Sequence, residues 1–271
     1  MRLTCTDSIK HLLRIALAAI LTAVTVMAVI AQPPGSRSFS TGSKTNIVFD
    51  PANKKNINGN TYIAYVSGTQ MKSPANVGRG MINLKDAMLK HTKIDTKVER
   101  QIRLSSREIM KLPFVYLAFE NGFELTENER DNLRKYLENG GFIMLEQFTL
   151  AKEQPYSGSA LSNMIRSELG QQARVSRLSN SHQLYHSYFD YPDGPPQGGD
   201  LLYQTVESSG NRVTGQQVNY LEGITINGRL VGICSSKRYL TKWLEHNDVQ
   251  LKFGVNVIVY ALTQREGIAN R

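Results

Sequence analysis

Two carboxylates and two imidazoles are the side chains of this chain best spaced for chemistry. Glu120 closes the apolar run from Phe114 to Phe119, and Glu146 closes the run from Phe142 to Leu145. If both runs are strands of one parallel sheet, their outgoing ends share a crevice. Two carboxylates there could act as acid and base, share a proton or hold a cation. The plainer reading is that a charged residue follows a buried strand because the chain there reaches water. His182 and His186 are four residues apart. On a helix both rings would face one side, which suits a divalent metal. With Glu146 they would complete a set of two histidines and one carboxylate. Tyr185, Tyr188 and Phe189 interleave with them, so the imidazoles could equally pack in an aromatic lid. Lys237, Arg238 and Trp243 follow the last expected strand. A cation beside an indole could hold an anionic or sugar ligand, or the group could be the rim where the last crossover anchors on the core. The candidate ligand-binding residues are therefore Glu120, Asn121, Glu146, His182, His186, Lys237, Arg238 and Trp243. Glu120, Glu146 and His186 are the catalytic candidates, and a divalent metal is the one cofactor considered.

The elements that must position these residues are legible around residues 112–147. Thr126 opens a helix with Glu129 three residues on, in capping-box spacing. Leu133 and Leu137 recur on one helical face, and Asn139-Gly140-Gly141 supplies a left-handed stop. Apolar strand, helix and apolar strand make a βαβ unit, the building block of a parallel sheet covered on both faces. Thr61–Val66 reads as the first core strand, preceded by polar turn material from Asn53 to Asn60. Met81–His91 reads as a helix and Asp95–Val98 as a second strand. Ser105 with Glu108 opens a short helix. Leu161, Ile165 and Leu169 line another, and residues 191–200, rich in Pro and Gly, read as a long mobile loop. Residues 201–218 have weak alternation that places nothing. Asn227-Gly228, between Ile224 and Ile233, is a type I′ hairpin signal. Residues 248–262 alternate like a strand, but their length favours a helix. Arg229, just after the hairpin turn, is expected to pair with Glu222 across it.

The stretch LPFVYLAFENGFELTENERDNLRKYLENGGFIMLEQ resembles the core of the bacterial family known as domain of unknown function 4159. His182–Phe189, Glu222–Arg229 and Phe253–Leu262 support the resemblance, which runs from Tyr62 to Thr263. It implies a three-layer α/β sandwich with a mostly parallel sheet, similar to class I glutamine amidotransferases and flavodoxin-like folds, with a β-hairpin near the C-terminus. Many members have Gly-His where this chain has Glu120-Asn121, and Asp near the position of Glu146, so chemistry needing those types is not carried over. Amidotransferases of that class place a cysteine in a Gly-x-Cys-x-Gly turn. Glu146-Gln147-Phe148 stands at the comparable turn here. Cys234 lies in the hairpin strand and reads as a buried small hydrophobe, so the expected fold lacks its nucleophile.

The chain has 271 residues, 41% hydrophobic, which suits one α/β domain over residues 46–271. Arg2, Lys10 and Arg14 precede an uncharged stretch whose apolar core runs from Ile15 to Ala31. That pattern is a secretory signal peptide over residues 1–31, or an uncleaved anchor, followed by a flexible tether over 32–45. Both alternatives place the domain outside the inner membrane, in the periplasm or attached and facing outward. The formal charge is +9; without residues 1–31 it is 29 basic less 22 acidic residues, or +7. An excess of that sign favours an envelope protein or anionic envelope component as partner. Scattered basic residues and an exported location argue against nucleic acid. Two functions follow: a non-catalytic binding or interaction module, or a carboxylate- and histidine-dependent, possibly metal-assisted hydrolase of envelope material. The absent nucleophile favours the first.

Overall fold

The computed structural model describes residues 37–40, 45–120, 122–148, 158–199, 204–206, 212–214 and 219–270. Its strands are β1 (Arg37–Ser40), β2 (Asn46–Asp50), β3 (Asn53–Ser67), β4 (Lys93–Arg103), β5 (Phe114–Phe119), β6 (Phe142–Gln147), β7 (Arg174–Arg177), β8 (Gln204–Val206), β9 (Arg212–Thr214), β10 (Glu222–Ile226) and β11 (Arg229–Ser235). The α-helices among the described residues are α1 (Val77–His91), α2 (Glu127–Glu138), α3 (Gly158–Leu169), α4 (Tyr239–Leu244) and α5 (Asp248–Thr263).

β3 organises a nine-stranded sheet. Its carboxyl half pairs in parallel with β4 on one side and β5 on the other. β6 follows β5, and β11 follows β6, both in parallel. The parallel strands thus stand in spatial order 2-1-3-4-5, the doubly wound order in which the chain leaves β3 first one way and then the other. β10 and β7 continue the sheet beyond β11 with alternating direction, while β2 pairs onto the amino half of β3 and β1 pairs onto β2. A separate two-stranded ladder joins β8 to β9, which gives residues 201–218 the strands that their weak pattern left unplaced.

Alternation along each strand sends side chains to two cores. Ile63, Tyr116, Met144 and Ile233 meet Met81, Leu84 and Met88 of α1 and Val255, Ile258 and Leu262 of α5 on one face. Val115, Leu117, Ile143 and Leu145 meet Leu133, Tyr136 and Leu137 of α2 and Ile165 and Leu169 of α3 on the other. Both faces of β5 and β6 are covered, which is why those runs are continuously apolar. The capping box forms: Thr126 accepts from Glu129 N, and the Glu129 carboxylate accepts from Thr126 N. The helix ends on Asn139 with Gly140 at φ 91°. The hairpin turn has φ 51° at Asn227 and 79° at Gly228, as a type I′ turn requires.

Several boundaries depart from the sequence pattern. Residues 53–60 are strand, not turn, because pairing by β2, joined from Asn58 onward by β4 on the other edge, satisfies a polar backbone that has no apolar run to announce it. Part of the expected tether, Arg37–Ser40, forms β1 against β2. Ser106, not Ser105, caps the 3₁₀ turn Arg107–Lys111. The segment 191–199 is held down rather than loose: the Tyr239 hydroxyl donates to Pro196 O at 2.7 Å, Gln250 Nε2 to Gln197 O at 2.5 Å, and Gly194 is buried. Among the described residues no helix is long and apolar enough to cross a membrane. The expected signal or anchor segment lies outside those residues.

Candidate functional site

The switch point of the winding lies between β3 and β5, and Glu120 stands on it. Leaving β5, its backbone N–H donates to Lys72 O at 2.8 Å. Its carboxylate pairs with Lys72 Nζ at 2.6 Å across the loop that leaves β3. The same loop is tied down a second time, since Thr69 donates to Glu129 Oε1 from its amide at 2.7 Å and its hydroxyl at 2.8 Å. Glu129 therefore joins the cap of α2 to the β3 loop. Burial alone would raise the pKa of this carboxyl, but the hydrogen bonds from Thr126 and Thr69 outweigh it and hold the value below the usual range. Met71 and Phe123, in the loops after β3 and β5, are buried. Asn121 lies outside the described residues.

Glu146, one strand further along, has a different task from the one its position suggests. It is 0% exposed. Tyr116 donates its hydroxyl to Oε2 at 2.6 Å, and the first two amides of α4 donate as well, Tyr239 N to Oε1 at 2.8 Å and Leu240 N to Oε2 at 3.1 Å. The nearby Ser235 hydroxyl also favours the charged form. The carboxylate thus caps a helix amino end, where free N–H groups and the helix dipole favour negative charge. Burial still outweighs these donors and raises its pKa, and the same burial, with the Glu146 charge beside it, raises that of Tyr116. Glu120 and Glu146 leave neighbouring strands, yet each faces its own partners, so the expected shared acid–base pair is replaced by a loop clasp and a helix cap.

The cation–indole cluster does not assemble at the surface. Trp243 is 0% exposed; its indole donates to Gln250 O at 3.0 Å and its ring lies 5.2 Å from that of Tyr116. Lys237 is buried, and Arg238, at φ 56°, sets its guanidinium 5.1 Å over Phe148. These residues form the anchored rim of the last crossover, the second of the two readings given above. Arg229 reaches the carbonyls of Leu137 and Gly141 at the end of α2 rather than Glu222, which instead accepts from Ser162 at 2.8 Å. The hairpin register explains this, because Arg229 lies opposite Ile226 and Glu222 opposite Cys234, at the two ends of the ladder. Cys234 is 1% exposed, and its thiol is pushed well up by burial and by the Glu222 charge.

The two histidines do not share a face. Gln183–His186 is a 3₁₀ turn, whose tighter winding breaks the i, i+4 alignment, and His182 is its N-cap. His182 Nδ1 accepts from Leu184 N at 3.1 Å, and burial lowers the pKa of its ring. His186 instead contacts Asp190 Oδ1 at 3.2 Å and Asn180 O at 3.1 Å. The expected set of His182, His186 and Glu146 is therefore not brought together. Among the described residues no three His, Cys, Asp or Glu side chains converge to hold a metal ion. The segment is fixed by Asn256 of α5, whose amide bonds both the N–H and the C=O of Phe189.

At the opposite edge of the sheet, where β6 and β11 begin, an open polar cavity of about 600 Å³ lies between the end of β7, the hairpin turn and the end of α5. Arg177, Arg229 and Arg265 line it with His182 and Tyr260, against a single carboxylate, Glu266. The His182 ring sits 5.7 Å from that of Tyr260, whose phenol is pushed up to about 12 by burial despite the nearby Arg229. Sequence reading found His182 and singled out Arg229 only for a hairpin pair; it missed Arg177 and Arg265, which carry no motif and come to line one cavity only through the β7–β10–β11 pairing and the packing of α5.

A sheet wound both ways from β3, with helices on both faces and loops clasped over the switch point, defines an α/β domain of the doubly wound class. Within that class the chain belongs to the family described as Domain of unknown function (DUF4159), which matches residues 62–262. No curated protein matches the chain.

Proposed function

We propose that this protein is a non-catalytic recognition module of the bacterial envelope, exported by its N-terminal segment and built on an amidotransferase-like sandwich. One observation carries the reading. Glu146, one of the two carboxylates expected to do catalysis, is enclosed by the Tyr116 hydroxyl and two backbone amides and holds the start of α4. Cys234 is buried and offers no exposed thiolate. The 2-1-3-4-5 order supports the amidotransferase-like comparison, and the basic excess supports an acidic envelope partner.

A panel of chromogenic esters, glycosides, phosphoesters and peptides, with and without Zn²⁺ or Mn²⁺, tests the proposal against the hydrolase alternative. The expected result is no turnover above background, together with a thermal shift from one class of envelope-type ligand. Turnover that disappears in Glu120→Gln while the melting temperature stays unchanged would sink the recognition reading in favour of the hydrolase.

A further inference from the structure

We infer that the cavity at the amino edge of the sheet binds a small organic oxyanion, a phosphate or carboxylate carried on a hydroxylated body of about sugar size. Three arginines against one carboxylate give the lining of the cavity a net positive charge, and guanidinium forks match phosphate and carboxylate oxygens in pairs. The arginines are set by different elements, so the charge is concentrated by the fold rather than by a basic run. Arg229 is held by the carbonyls of Leu137 and Gly141 around the end of α2, and the guanidinium of Arg177 lies 4.6 Å from the ring of Tyr220. His182 sharpens the chemistry: with Nδ1 accepting from Leu184 N, the neutral ring carries its proton on Nε2 and is a donor. Tyr260 adds a ring and a hydroxyl to the wall. A cavity of about 600 Å³ is of the size used for small-molecule ligands.

This inference rests on the recognition role proposed above, and the two fail differently. Turnover in the hydrolysis panel removes the role, whereas missing anion binding removes only this site. The test is isothermal titration of the full chain with glucose 6-phosphate, glucuronate and, as an uncharged control, glucose. Saturable binding of at least one acidic sugar and none of glucose is expected. Arg177 and Arg265 are exposed, so Arg177→Ala/Arg265→Ala should keep the fold, read as an unchanged melting temperature, and weaken binding at least tenfold. Failure of both acidic sugars to bind, binding of glucose as strong as that of its phosphate, or undiminished binding in the double variant would each overturn the inference.

Discussion

Glu129 and Glu146 are both buried carboxylates, both meet a helix amino end, and their protonation is biased in opposite directions. At Glu129 the donors win and the folded-state pKa falls, so its contribution is present above the ordinary glutamate value of about 4.3 and is lost as pH drops through the lower folded value. Urea unfolding of Glu129→Gln should show a deficit of about 1–3 kcal/mol at pH 7, from the weakened cap and the stranded Thr69 donors. That deficit should shrink on acidification. At Glu146 burial wins and the folded-state pKa rises, so its contribution is full below about 4.3 and declines as pH climbs through the raised value. The gap between wild type and Glu146→Gln should therefore narrow between pH 4 and pH 7, the reverse of the first case. Glu146→Ala, which strands Tyr116 and two helix amides, should cost about 3 kcal/mol or more at any pH, read as a lower denaturation midpoint. The sequence marks both positions as carboxylates near element ends. It does not say which way either points, and the alternation that puts Glu146 with Tyr116 under α4 is what makes it a cap.

The elements were written more plainly than their contacts. Thr126 and Glu129, the Asn139-Gly140 stop and the Asn227-Gly228 turn are local chemistry, and each forms as its residues dictate. Gly140 shows why a stop is also a tertiary matter. At φ 91° it would strain any side chain, and a Cβ there would lie 2.3 Å from Glu266 O, in the segment that follows α5. Gly140→Ala is thus expected to lose about 2 kcal/mol or more, with an unchanged urea m-value showing that the fold itself persists. The misread elements share one cause. The amino half of β3 is polar and the His182–His186 segment is a 3₁₀ turn, so pairing and packing by distant residues, not periodicity, decide them. The loop 191–199 is the clearest case, since its Pro and Gly content signals mobility while Tyr239 and Gln250 pin its carbonyls.

For the whole molecule, the export proposal makes its own prediction. Alkaline phosphatase fused after Thr45 should be active in cells, and deletion of residues 1–31 should abolish that activity; an inactive fusion would leave the domain without its proposed compartment. The winding order places Glu120 and the Lys72 loop at the switch point and the basic cavity at the far edge, the first built from the earlier part of the chain and the second from the later part. By itself the sequence determined the βαβ core, the Thr126 cap, the Gly140 stop and the Asn227-Gly228 turn, and the burial of Cys234, because apolar period, capping spacing and left-handed glycine are properties of short segments. Only the tertiary structure decided that Glu146 serves a helix, that the two histidines part, and that three arginines distant in sequence line one cavity. A side chain's task depends on what stands across from it, and that neighbour is supplied by strands and helices far away in the chain.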